Sequence, residues 1–197
     1  MVNFILNLDQ SITLFLRNLL PHNYFFDLFF AFFSLKGNAI FVWVLVIIAA
    51  LIFEERKNPG ISKKDKQFII TFIFAFLITS FAVERPLKNL FRRPRPFNIN
   101  SNAFVPLQTN QRQSVSINCP KDFSFPSGHA ATAFVAAAVL TFFDKKRRFF
   151  YYLIALLIAY SRIYLGCHYF LDVLGGGILG WFLGEIILNF YKKLIPL

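Results

Sequence analysis

The stretch "SRIYLGCHYFLDVLGGGILGWFLGEIILNF", residues 161–190, joins two kinds of chemistry. Its opening holds Arg162, His168 and Asp172, whereas residues 173–190 hold a single charge, Glu185. A run that long and apolar suits a membrane-spanning helix, since the hydrocarbon core takes about 20 residues. The three polar residues then sit at a membrane boundary. Gly176, Gly180 and Gly184 recur every fourth residue, which lets another helix approach closely, within the chain or between copies.

Working outward, further apolar runs occupy 38–53, 68–83, 130–143 and 149–161, with a weaker one over 18–35 interrupted by Asp27. The shorter runs reach a spanning length by snorkelling Lys and Arg and by semi-polar flanks. The chain is 56% hydrophobic and 28 of its 197 residues are Phe, too many for a soluble core of this size. Residues 3–17 read as an amphipathic helix lying in the interface. The expectation is therefore an all-α polytopic membrane protein. It has six transmembrane helices in a bundle, an amphipathic N-terminal segment and one domain over 1–197. The start "MVNFILNLDQ" has no basic region of a cleavable leader, so insertion is expected to rely on the spans. The net charge of +11 lies in short runs between apolar segments, which suits membrane flanks and not nucleic acid.

Those flanks predict an orientation. The 54–66 and 144–148 loops, the tail and Arg17 hold 12 basic residues, against 9 on the other side. Setting aside Lys88, Arg95 and Arg162 as chemical groups leaves 6 there. Both termini are then expected in the cytoplasm, with 84–122 and 162–172 facing outward.

That topology gathers three clusters on one face: "KNLFRRPRP" (88–96), "FPSGHA" (125–130) and the opening stretch. Lys88, Arg95 and Arg162 supply cations suited to phosphate oxygens. "PSGH" reads as a helix start, with Pro126 at the first helical position and the N–H groups of Ser127 and Gly128 open to an anion. His168 and Asp172, four apart, share a face if helical, and a carboxylate on one ring nitrogen makes the other a nucleophile. His129 could protonate a leaving oxygen. These few ligands among cations suit an anion better than a metal, so neither metal nor cofactor is expected.

Singly, each residue has a plainer explanation. The cations could snorkel, Asp172 could cap a helix, and His168 could be a satisfied interfacial side chain. Their coincidence on one face favours a shared site. His22 reads as interfacial without a role. Arg92 and Arg93 could meet a second phosphate or merely lipid headgroups. Cys119 and Cys167 could be free thiols or, facing outward, a disulfide. The polar segment 97–122 reads as an outer loop over the site.

Lys88-x6-Arg95-Pro96, Pro126-Ser127-Gly128-His129 and Ser161-Arg162-x5-His168-x3-Asp172 together resemble the three-part signature of the type 2 phosphatidic acid phosphatase superfamily. Every signature position is matched, in order, across 88–172, and the helical pattern extends the likeness to most of the chain. The resemblance implies a metal-independent membrane lipid phosphatase in a bacterial inner membrane. Its substrate would be a lipid phosphomonoester or pyrophosphate: undecaprenyl pyrophosphate, lipid A, phosphatidylglycerophosphate or phosphatidic acid. It implies His168 as nucleophile, Asp172 as its orienting group and His129 as general acid. Lys88, Arg95, Ser127, Gly128 and Arg162 would hold the phosphate. Phosphotransfer through the same phosphohistidine, or lipid binding and transport without catalysis, are the alternatives.

Overall fold

The computed structural model describes residues 2–34, 38–55, 63–96 and 119–194, and the regular structure in them is all helical. Lys36 and most of the expected outer loop, residues 97–118, lie outside the described residues. The helices are α1 (Val2–Arg17), α2 (Tyr24–Ser34), α3 (Asn38–Glu55), α4 (Lys63–Ala82), α5 (Lys88–Phe91), α6 (Gly128–Phe143), α7 (Arg148–Tyr164) and α8 (Phe170–Leu194). A π-helical turn, Val83–Leu87, joins α4 to α5 and takes in Pro86, whose missing N–H an α-helical interior could not accommodate without loss.

α6 is the central element because its inner residues are small. Ala130, Ala131, Ala133, Ala136, Ala137 and Ala138 are all buried, and α4, α7 and α8 pack around them. α8 meets α6 along its glycine stripe. A Cβ on Gly176 would lie 2.4 Å from the Ser127 carbonyl oxygen, and one on Gly180 2.0 Å from that of Ala131. The stripe therefore serves packing within the chain. At the far end, Tyr191 donates to Gln67 Oε1 at 3.0 Å and Phe143 stacks against Phe68 and Tyr191. That fixes α4, α6 and α8 opposite the end that carries the motifs.

The outer faces are apolar. Ile70, Leu77 and Phe81 of α4 and Ile178, Phe182 and Phe190 of α8 are each more than half exposed, a surface that water would not tolerate over such an area. Asp65–Ala82 and Phe170–Leu194 are long and apolar enough to cross a membrane.

The first expected span is different. α2 has 11 residues, about 16 Å of helix, half a hydrocarbon core. Its contacts lie at the motif end of α7: Asp27 Oδ1 accepts from the Tyr164 hydroxyl at 2.8 Å, Phe30 stacks on Tyr160 and Tyr164, and Ser34 accepts from Arg162. α1 also ends there, with the Leu16 carbonyl accepting from the Tyr160 hydroxyl at 2.8 Å. The described part of the run 18–35 thus packs against the motif end of α7, and its helix is one of the shorter apolar ones. Asp27, which interrupts it, is the residue that anchors it.

Candidate active site

His168 is placed by the end of α7. The Gly166 and Cys167 N–H groups donate to the Ile163 and Arg162 carbonyls at 2.9 and 3.0 Å, the paired bonds of a glycine-terminated helix. Gly166 has φ 72°, which favours glycine. The His168 N–H also reaches the Arg162 carbonyl, at 3.2 Å. This reversal folds His168 back over Arg162 and gives the five-residue spacing its physical cause.

α8 begins at Phe170, so His168 precedes the helix and does not share a helical face with Asp172 as the spacing predicts. The two still meet: His168 Nδ1 lies 3.5 Å from Asp172 Oδ2. That is an ion-pair distance without a formed hydrogen bond, and Nδ1 has no other hydrogen-bond partner. Arg95 Nη1 sits 3.0 Å from His168 Nε2. A guanidinium only donates, so Nε2 carries the lone pair and the ring proton is on Nδ1, towards Asp172. Burial, then the Arg162, Arg95 and Lys88 cations, hold the His168 imidazole well below its ordinary pKa, with Asp122 opposing. Asp172 also accepts from the Tyr169 N–H at 2.9 Å, closing the first turn of α8. Asp172 thus caps the first turn of α8 while lying beside the His168 ring.

The three expected cations converge. Lys88, Arg95 and Arg162 are at most 3% exposed, so none is snorkelling. Asp122, which sequence reasoning passed over, ties two of them. Its Oδ2 accepts from Lys88 and its Oδ1 from Arg95 Nη2, each at 2.5 Å. Burial pushes the Asp122 carboxyl up, but these contacts outweigh it and hold the pKa below the usual range. Arg162 donates Nη1 to the Ser34 carbonyl at 3.0 Å and to its hydroxyl, while its Nε and Nη2 have no acceptor among the described residues. Unspent N–H groups on two nitrogens of a buried guanidinium are costly unless an anion meets them.

The second motif starts α6 two residues later than expected. Ser127 is the N-cap and Pro126 precedes it after a cis peptide bond. The Ser127 N–H is spent on the Asp172 carbonyl at 2.9 Å, and its hydroxyl accepts from the Ala130 N–H at 3.4 Å. The anion-facing N–H groups of this turn are therefore those of Gly128 and His129. The fields of Arg162, His168, Lys88 and Arg95 all reach His129, which places it in the same cluster. Gly128 has its own reason: a Cβ there would lie 2.7 Å from Glu84 Oε1, beside the Lys88 salt bridge.

Arg93 turns inward, against the headgroup reading. Its Nη1 donates to Asp172 Oδ1 at 2.7 Å, its Nη2 to Asp9 Oδ2 at 2.5 Å, and its guanidinium lies over the Tyr169 ring. Cys119 and Cys167 are joined in a disulfide, with Cα atoms 5.5 Å apart, which ties the start of 119–127 to the turn bearing His168. His22 lies outside the cluster, stacked on Tyr164 with Nδ1 3.7 Å from Asp27. Among the described residues no group of three or more His, Cys, Asp or Glu is arranged to hold a metal.

Comparison with known proteins follows the same lines. A family model described as the PAP2 superfamily matches residues 67–196. Over 146 residues the chain is 30% identical to the undecaprenyl-diphosphatase of Sulfolobus acidocaldarius, covering 74% of this chain and 61% of that protein. The chain thus spans about three fifths of that curated relative's length. Two crystal structures share the architecture. Aquifex aeolicus LpxE is 27% identical with a TM-score of 0.59, over 92% of this chain and 95% of that one. A transmembrane PAP2 type phosphatidylglycerolphosphate phosphatase from Bacillus subtilis is 26% identical with a TM-score of 0.57, over 95% and 88%.

Proposed function

The chain belongs to the PAP2 superfamily, and from that premise we propose that it is a membrane lipid phosphatase working through a phosphohistidine. The observation that carries the reading is the buried Arg162 with Nε and Nη2 unpartnered among the described residues, in a cluster with Lys88, Arg95, His129 and His168. Such a cluster demands an anion with several oxygens.

The substrate phosphate takes its oxygens to Arg162, Lys88, Arg95 and the N–H groups of Gly128 and His129. Arg95 leaves the His168 lone pair for a phosphate oxygen. Nε2 then attacks phosphorus; the N–P bond forms as the bond from phosphorus to the lipid or pyrophosphate oxygen breaks. Asp172 steadies the positive ring, and His129 gives its proton to the departing oxygen. Water next attacks phosphorus, the N–P bond breaks, His129 takes the proton back and inorganic phosphate leaves. No step uses a metal.

A groove of about 380 Å³ supports a lipid substrate. Leu16, Phe134, Ile163, Phe170, Val173 and Trp181 help line it, and it starts beside Phe170 and Val173, which flank Asp172. An acyl or prenyl chain lying there would leave its phosphate at the cations. The Cys119–Cys167 disulfide favours the extracytoplasmic side of a cytoplasmic membrane for the site. With α1 and α2 at the motif end, α3, α4, α6, α7 and α8 make five crossings, and the C-terminus lies on the opposite side from the site.

The test is phosphate release by detergent-purified protein in EDTA, from undecaprenyl pyrophosphate, phosphatidylglycerophosphate, phosphatidic acid and lipid A. The expected result is release from at least one lipid, lost by about 10⁴-fold in His168→Ala. Acid-labile phosphate should be trapped on the wild type alone. Full activity in folded His168→Ala would sink the mechanism.

A further inference from the structure

An interfacial helix turns its polar residues to water, but α1 turns one polar row inward. Asp9, Thr13 and Arg17, one turn apart, are buried, while Phe4, Ile5, Leu8 and Phe15 are exposed. A buried carboxylate must be matched by donors. Those of Asp9 come from the candidate active site: Oδ1 accepts from the Leu171 N–H at 2.9 Å and Oδ2 from Arg93 Nη2 at 2.5 Å. Thr13 accepts from the neighbouring Phe170 N–H at 2.9 Å. α1 thus caps the first turn of α8 from outside.

We propose that Asp9 is a positioning residue of the reaction, acting through Arg93 to hold Asp172 against His168 and to keep the charge of Asp172 available to the imidazole. This rests on the phosphatase reading above. Arg93 bridges two carboxylates, Asp9 and Asp172, at 2.5 and 2.7 Å. One cation between two anions leaves one negative charge, and the His168 ring lies next to it. The other charged groups around that ring are Arg95, Arg162 and Lys88, with Asp122 opposing them, and His129 is its titratable neighbour on α6. Three cations oppose the positive ring that forms on attack. If Asp9 were neutral, Arg93 would cancel Asp172 and the ring would lose its nearest counter-charge.

Asp9→Asn separates this role from capping, because the amide oxygen still accepts the Leu171 N–H. The full-length protein in micelles would be assayed on a lipid that the wild type hydrolyses. Asp9→Asn should lower kcat about 30-fold and leave KM within about twofold. Arg93→Gln should lose at least as much, and the double variant no more than Arg93→Gln alone. Ser11→Ala, on the exposed side of α1, serves as control and keeps its rate. Losses that add in the double variant, or an Asp9→Asn protein with a lower Tm but unchanged kcat, would overturn the proposal. Binding of orthovanadate, which occupies a phosphoryl site without turnover, gives a second readout: Asp9→Asn should bind it more weakly. If the wild type hydrolyses no lipid, the phosphatase reading falls, and the vanadate comparison still judges Asp9. Equal affinity in the two proteins would then count it out.

Discussion

The motif-bearing turns and the α1–α2 pair both bring buried polar groups to the site, but they do it in different ways. In the turns, the backbone itself sets the spacing. Arg162 and His168 are joined by a glycine-ended helix terminus, and Asp172 reaches back three residues to the Tyr169 N–H. In α1 and α2, each polar group serves a partner far along the chain. Asp9 and Thr13 bind the start of α8, Asp27 binds Tyr164, and Ser34 binds Arg162. Local geometry leaves a fixed pattern in a sequence; service at a distance leaves only an odd polar residue among apolar ones.

The largest effect expected from this contrast is in the packing that holds the turns together. Gly180→Ala would press a Cβ into the Ala131 carbonyl at 2.0 Å, where two helix backbones must separate. Gly184→Ala meets the Ala138 Cβ at 3.0 Å, which a few tenths of an ångström relieves. Thermal unfolding in micelles should show a loss of about 3 kcal/mol for the first and about 1 kcal/mol for the second. Equal losses would mean that α6 and α8 do not meet along this stripe in the folded protein.

The same contrast explains what could be read from the sequence. The helical class, the runs that became α3, α4, α6, α7 and α8, and the gathering of Lys88, Arg95, Arg162 and His168 were legible because hydropathy and local spacing encode them, whereas the open N–H expected of Ser127 is spent on Asp172. The packing of α2 was not legible: its apolarity suits lipid wherever the helix lies, and the Asp27–Tyr164 contact is what ties it to the motif end of α7. The inward polar row of α1 was hidden for a like reason. Amphipathic periodicity says that two faces differ, not which of them the protein covers. Arg93 and Asp122 gave no spacing signal, since each acts by tying other side chains. The one available hint was the repeat of Asp9, Thr13 and Arg17 every fourth residue among large apolar neighbours.

A smaller effect tests whether distant support matters as the turns do. Arg162→Gln removes the proposed phosphate contact and should lower kcat/KM about 10²- to 10³-fold. Ser34→Ala removes the hydroxyl beside Arg162 Nη1 but leaves the Ser34 carbonyl in place at 3.0 Å. Its cost should be about 1 kcal/mol, roughly fivefold, and mostly in KM. A Ser34→Ala loss as deep as that of Arg162→Gln would erase the distinction between contact and support. No loss at all would show that α2 merely fills space.

The smallest expected change is in pH dependence, and it probes the turn directly. Burial and the Arg162, Arg95 and Lys88 cations depress the His168 pKa below 6.5. The nitrogen proposed to attack is therefore unprotonated at neutral pH, and protonation on the acid side would remove the proposed nucleophile. The acid limb of kcat/KM, which reports the free enzyme, should have its midpoint below pH 6.5. The same depression makes stability fall as pH drops through 6.5, because the unfolded chain takes up a proton that the folded one refuses until its own lower pKa is reached. Asp122 opposes the three cations, so Asp122→Asn should move the limb further to the acid side. A limb that instead moves up in Asp122→Asn would mean that freeing Lys88 and Arg95 from this carboxylate carries them away from the imidazole, and that Asp122 acts on His168 by position more than by charge.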